Sequence, residues 1–546
     1  MALRATVAAG ALTRARAARR GRVLLRALAA AALALPLAGC VGPETAPTAE
    51  RAVRFPLSGD LTGLDFARAT DSNTLTVAAL VSEPLVGFDD RLRIVPAAAR
   101  RWSWSDDRTR LTIELRPELH WHDGRPVTAE DVVHTWRVAT DPSTGDPGRA
   151  ALFNLVTDVV AEDPHTAVVQ YARPFSPALS NWATLPLLPA HLPLGTDPPV
   201  GCGRFVFERW DHGERVVLRA NPDHPDGPPS IGRLELEVLP DYATRLSALE
   251  SGRIDAAPVI PQHWQQVRSD ERFMTRYEVK DYRVLFYWYL AWRMDGSNPF
   301  FEDARVRRAM THAVDRTGYV RRFGDAPDRA PVTSFHPDGW ASDPTIEPWA
   351  FDPQRAAALL EEAGWIDGDG DGVRDRAGRA FRFRLTYARS SAENDKIAAF
   401  VQDGLRRVGI AAELEPLEYS VFLDRLRART FEAVMGGIRL DPDPDPYDLW
   451  HSSQAASGRN HAGLRDPEVD AWIERARETF DREARRRLYS LVERRLHEME
   501  PLTVFFYPTS RLAVSRELAG VTVGPNGPLR PRPGPAAWHW RTGGAR

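Results

Sequence analysis

The sequence predicts an α/β protein with mixed sheets and more than one domain, and three observations predict it. The chain has 546 residues, too many for one compact core. Strand-like and helix-like patterns alternate along most of its length, as in sheets flanked by helices. Hydrophobic residues make up 43% and charged residues 27%, a balance that fits a globular body with buried cores and not a disordered chain.

Taken in order, Leu111, Ile113 and Leu115 alternate as a half-buried strand, and Asp123-Gly124 reads as a turn. Thr128 with Asp131 forms the capping signature of a following helix. The stretch 140–200 is Pro-rich, with short strands such as Ala167–Tyr171. Two strand runs between Phe205 and Leu239 flank an Asn-Pro-Asp-His-Pro loop, and a helix over 242–251 ends at Gly252, with a strand starting at Arg253. Further helices are predicted over 301–316, 353–363, 393–408, 467–478 and 481–499; Gly364 and Gly409 close two of them. The run Phe286-Tyr287-Trp288-Tyr289 reads as a core strand with one ring free to face a cleft.

The N-terminus carries an address. Seven arginines and no acid lie in residues 1–39, followed from Ala27 to Leu37 by an apolar run too short to span a bilayer. The run ends in Leu37-Ala38-Gly39-Cys40, the pattern of a secretory signal peptide with a small-residue cleavage site. Without those 39 residues the chain has 64 basic and 74 acidic residues, a net charge of −10. An acidic body argues against nucleic acid as a partner. Residues 41–50 are small, polar and Pro-containing, a tether. Cys202 is the one other cysteine, so no internal disulfide is expected.

Several segments together resemble the bacterial extracellular solute-binding proteins of family 5, the oligopeptide- and dipeptide-binding lipoproteins of ABC importers. They are Ile94–Ala99 with Trp102 and Trp104, His122–Val132, Val200–Phe205, Leu249–Asp255, Pro299–Ala309 with Ala313–Arg316, Ala356–Trp365 and Val408–Ile410, in collinear order. Leu37–Cys40 is similar to the family's lipobox, which implies that Cys40 is lipidated and becomes the mature N-terminus. The resemblance implies a two-lobed, periplasmic-binding-protein-like clamp with hinge strands and an extra subdomain on the first lobe. On that pattern residues 1–39 are the signal peptide and 40–50 the tether. Lobe I comprises 51–72, 191–283 and 505–540, its added subdomain 73–190, and lobe II 284–504. The implied function is capture of oligopeptides or a related solute by hinge closure and delivery to a permease and its ATPase. The protein is then an extracytoplasmic, membrane-anchored monomer without cofactor.

In peptide-binding members an Asp after a Gly-rich strand of lobe two meets the ligand's ammonium. The matching segment here is Met435–Trp450, in which Asp441 is the best positional match. Asp443 and Asp445 are rivals, because the Asp-Pro ladder allows a register slip. Ile438 stands where the family often has Trp, a departure from dipeptide-type recognition.

Other chemistries find less footing. Asp367, Asp369, Asp371 and Asp375 open like a calcium loop, but position twelve is Gly378 and not Glu, so a hairpin loop is expected and no metal. His120 and His122 share a strand face without a third zinc ligand at matching spacing. There is no G-x-S-x-G, H-E-x-x-H or P-loop, so a secreted hydrolase is disfavoured and no catalytic residue is assigned. A ligand-sensing lipoprotein with the same clamp remains the alternative. If Cys40 carries the anchor, Cys40→Ala should move the protein from the membrane fraction to the soluble fraction with its melting temperature unchanged, as immunoblotting and calorimetry would read.

Overall fold

The computed structural model describes residues 51–143, 147–324, 331–389, 392–530 and 532–541. The segments expected to be signal peptide and tether, with Cys40, lie outside the described residues.

Four larger sheets organise the chain. In the first, strand Val53–Leu57 pairs in parallel with Arg233–Val238, which continues antiparallel through Arg215–Ala220 to Phe205–Asp211. Val53, Phe55, Leu57, Leu218, Leu234 and Leu236 turn inward against Val77, Ala78 and Val81 of helix Ser72–Val81. That helix starts where the Asp71 carboxylate accepts the amides of Asn73 and Thr74. The second sheet runs in the order Ala99–Trp104, Arg110–Leu115, Thr166–Tyr171, Val156–Asp163. Leu111, Ile113 and Leu115 are buried and their neighbours are not, as the alternation predicted. Helix Ala129–Thr140 lies against this sheet and carries the Thr128–Asp131 capping box.

A three-stranded sheet joins Ala256–Pro258, Thr509–Ser515 and Tyr277–Arg283. The five-stranded sheet has the order Ala411–Leu417, Arg382–Ala388, Ala433–Arg439, Phe286–Trp292, Leu502–Phe506, parallel in its first three strands and antiparallel afterwards. Trp292, Phe301, Phe383 and Leu385 form its larger core with helices Ala304–Ala313, Pro353–Glu362 and Ala392–Arg406; Phe422 and Leu426 of helix Tyr419–Arg427 cover the other face. The chain passes between these last two sheets twice, side by side. Arg283 pairs with Thr509, Val284 donates to the Pro508 carbonyl, and Trp288 pairs with Phe506.

The helix expected over 301–316 is shorter and divided. The Asp303 carboxylate accepts the Arg305 amide and starts the helix at Ala304; after Ala313 the chain extends, and Asp315 caps a new turn, Arg316–Tyr319. A Cβ on Gly318 would lie 1.9 Å from the Asp315 carboxylate, so only glycine fits under this cap. The Gly201-Cys202-Gly203 turn has a similar cause, since Cβ atoms there would lie 2.0 Å from the Val81 carbonyl oxygen and 2.7 Å from its carbon. His122 pins that turn, with Nε2 against the Gly203 carbonyl and Nδ1 accepting the Gly201 amide. Burial lowers its pKa to about 4, so the ring is a neutral structural group. Cys202 is buried and its thiol is pushed up to about 12 by desolvation. Residues 375–376 and 379–380 form the expected hairpin, below a loop where Asp367, Asp369 and Asp371 cluster at the surface.

Arg307 is buried and donates to the carbonyls of Phe301, Glu302 and Met499, joining the start of one helix to the end of helix Arg482–Met499. Removing it strands those acceptors away from water. Arg307→Met should therefore lower the unfolding free energy by roughly 2–4 kcal/mol, whereas Arg427→Met, at an exposed ion pair, should change it by under about 0.5 kcal/mol. Urea denaturation checks both.

Candidate functional site

The site grows from strand Ala433–Arg439. Along one edge the strand pairs with Phe286–Trp292 over its whole length; along the other, Arg382–Ala388 reaches only Ala433, Val434 and Met435. From Gly436 onward no described strand takes up that second edge, which leaves backbone donors and acceptors open. A strand then gives way to three Asp-Pro steps, in which each proline fixes φ and stiffens the segment.

The structure sorts the three aspartates. Asp443 receives both terminal nitrogens of Arg485, at 2.9 and 2.6 Å, and the Ser180 hydroxyl at 3.3 Å. Asp445 forms an ion pair with Arg477 at 3.0 Å and accepts the Tyr447 amide at 3.2 Å, opening helix Tyr447–Trp450. Asp441 has no hydrogen bond and no ion pair among the described residues. Its surface is exposed to a cavity, yet the protein around it displaces bulk water. Desolvation therefore raises its pKa, with Asp448, Asp445 and Asp443 adding to the effect and Arg459 opposing it.

That cavity has a volume of about 230 Å³. Its lining comprises the segment 439–445 (the floor), residues of 334–341 (the wall), and Arg91 and Leu92. Two further recesses adjoin it. One, of about 360 Å³, shares Leu92, Trp340, Pro442, Asp443 and Arg482 and extends to Trp104 and Phe480. The other, of about 320 Å³, shares Leu449 and Arg459 and lies beside Gly436–Ile438, lined by Phe286, Trp288, Tyr419 and Phe422. Of the aromatic run, Tyr287 and Tyr289 are buried in the core, and Phe286, Trp288 and Tyr289 line this recess.

The wall is suspended from helix Arg482–Met499 and its surroundings. Thr333 Oγ1 and the Asp343 amide both donate to the buried Glu493 carboxylate at 2.5 Å. Tyr507 donates to the carbonyls of Thr333 and Phe335, and Trp450 Nε1 to Ser334 Oγ. His336 is held neutral by burial, its pKa lowered to about 4. No hydrogen bond joins Ser334 to His336 among the described residues, so the wall shows no nucleophile–base pair. Residues not singled out from the sequence are Arg91, Arg439, Asp448, Arg459, Arg482 and the wall itself. Arg439 and Asp448 flank the ladder and could have been found by proximity; the others lie far along the chain and carry no local signal.

The family model of bacterial extracellular solute-binding proteins, family 5 Middle, matches residues 93–460. The oligopeptide-binding protein AppA of Bacillus subtilis is 26% identical over 483 residues, 85% of this chain and 87% of that protein. The structure of that protein with a nonapeptide superposes with a TM-score of 0.73 at 23% identity, covering 90% of this chain and 99% of the other. NikA from Brucella suis, in complex with Fe(III)-EDTA, gives a TM-score of 0.78 at 23% identity, covering 90% and 100%. The fold is thus the two-lobed one of periplasmic binding proteins.

Glu493 offers a pH test of the wall. Burial, its largest influence, raises its pKa from 4.5 to about 7. The unfolded chain releases this proton at lower pH than the folded one, so its contribution to stability falls as pH rises from about 4.5 to about 7 and is level above. Glu493→Gln should remove that component, so that the loss of unfolding free energy between pH 5 and pH 7.5 shrinks by roughly 2–3 kcal/mol relative to the parent.

Proposed function

The chain belongs to the bacterial extracellular solute-binding proteins of family 5, and from that premise we propose that it is the substrate-binding component of an ABC-type importer for oligopeptides. This family is one of binding proteins for transport, not of enzymes. The observation that carries the reading is the position of Asp441, a carboxylate without a partner among the described residues just beyond the end of an open strand edge. An extended peptide offers donors and acceptors on every residue, so it can add to the edge at Gly436–Arg439 as a further strand. Its ammonium then needs a fixed anion, because a buried charge without a partner is costly. Asp443 and Asp445 already hold arginines, which favours Asp441 as that anion.

In this reading lobe I comprises 51–72, 191–283 and 505–540, with 73–190 as its added subdomain, and lobe II comprises 284–504. The packing supports the division, with two adjustments: strand Leu502–Phe506 pairs with Phe286–Trp292, so lobe II runs on to Phe506, and helix Ser72–Val81 packs into the core of the first sheet, so the first segment of lobe I runs on to Val81. The adjacent crossings at 283–286 and 506–509 act as the hinge, and closure buries the ligand between the lobes. Lipidated Cys40 holds the monomeric protein at the outer face of a membrane beside its permease, whose ATPase supplies the energy. The oligopeptide named in the AppA relative supports peptide as the cargo class.

Truncating Asp441 leaves a ligand ammonium unpartnered in a closed cleft. Asp441→Ala should weaken binding of a free-amine peptide by roughly 2–5 kcal/mol, about thirty-fold to several-thousand-fold, and should hardly affect the N-acetylated peptide. Asp443→Ala and Asp445→Ala should instead lower the melting temperature, since each strands an arginine. Calorimetric titration decides it: parent-like affinity in Asp441→Ala overturns the ammonium site.

A further inference from the structure

The lining of the central cavity is electrically unbalanced. Of its five acids, Asp338 pairs with Arg283, Asp443 with Arg485 and Asp445 with Arg477, which leaves Asp441 and Asp448. Four lining arginines, Arg91, Arg439, Arg459 and Arg482, have no carboxylate within 4.0 Å and no side-chain hydrogen bond among the described residues. Four unmatched cations against two unmatched anions leave an excess of two positive charges. Arg482 lies over Trp340 at 5.0 Å, a contact that orients the guanidinium without neutralising it. Arg530 adds to the same field: burial and then the positive charge of Arg439 lower its pKa, and among the described residues its side chain bonds Thr76 Oγ1 at 3.5 Å and no carboxylate.

This excess runs against the rest of the protein, whose body beyond residue 39 has a net charge of −10. It is also unlike the use of arginine in the cores, where Arg307 and Arg316 spend their donors on carbonyls. In a wet cavity water solvates the four guanidinium groups. Closure expels that water, and an uncompensated positive excess then opposes closure unless the ligand brings the missing anions. Arginine suits the task because its planar fork takes a carboxylate by two parallel hydrogen bonds.

We propose that the cargo is a net-negative peptide, in which the C-terminal carboxylate and acidic side chains outnumber the ammonium groups. Asp441 holds the ammonium with Arg459 nearby, and Arg91, Arg439 and Arg482 receive the carboxylates. This rests on the peptide reading above and deepens it to a charge class.

The test is calorimetric titration of the whole mature protein with free-amine pentapeptides of one length: all-Ala, Glu-containing, Lys-containing, and the Glu peptide as its C-terminal amide or N-acetylated. The Glu peptide should bind about tenfold or more tighter than the Ala peptide, the Lys peptide weakest, and the amide between Glu and Ala. Raising the salt concentration should weaken the Glu peptide more than the Ala peptide. Arg439→Gln and Arg482→Gln, both at exposed positions and checked by melting temperature, should each remove part of the Glu advantage. Equal affinity for the Ala and Glu peptides, or a preference for Lys, overturns the proposal, as does a panel in which no peptide binds. Failure of the ammonium site alone looks different: the N-acetylated Glu peptide would bind like the free one while the Glu preference persisted.

Discussion

Arg485 reaches from the first turn of helix Arg482–Met499 to both carboxylate oxygens of Asp443, and it also donates to Tyr489. Its guanidinium is almost wholly buried, so the pair cannot be exchanged for water without a large desolvation cost. Through this contact a proline-stiffened ladder is locked to a long helix. The same helix, through Glu493, holds the opposite wall of the cavity. Floor and wall therefore share one support, and Asp443 is fully engaged in it while Asp441, two residues earlier, has no partner among the described residues.

Arginine serves three purposes in this protein, and they differ by what the guanidinium faces. In the cores it faces carbonyls: Arg307 takes the Met499 carbonyl where a helix end leaves an acceptor without a partner, and Arg316 takes those of Trp349 and Val504. Beside the ladder it faces carboxylates and sets the backbone. Around the cavity it faces open space, and there the unmatched charge becomes a demand on whatever enters. The first two uses stabilise the fold irrespective of ligand; the third is neutral while water is present and acts when water leaves. The local geometry of the ladder decides which aspartate belongs to which use.

Much of the fold was legible from short-range signals. The helix expected over 467–478 is present, capped by Asp466, the strand at 110–115 shows the alternation that announced it, and Thr128 with Asp131 forms the capping box. The division of the helix expected over 301–316 was not legible, because apolar spacing continues through Val314 while Asp315 redirects the backbone. At the site the ladder itself stood out, but the rank of its three aspartates did not. That rank is set by Arg477 and Arg485, whose reach to the ladder depends on how two later helices pack. The unmatched arginines were hidden for a similar reason, since Arg91 and Arg482 meet at one cavity across most of the chain.

The central claim is that the cavity's free charges, Asp441 and Asp448 with their surrounding arginines, are completed by the ligand. A crystal structure of the mature protein with an acidic, free-amine peptide tests it most directly. The account predicts the peptide paired along Gly436–Arg439, its ammonium within hydrogen-bond distance of Asp441 and its carboxylates on Arg439, Arg482 or Arg91. A peptide bound with its ammonium on Asp443 or Asp445, or lying away from the open strand edge, would contradict it.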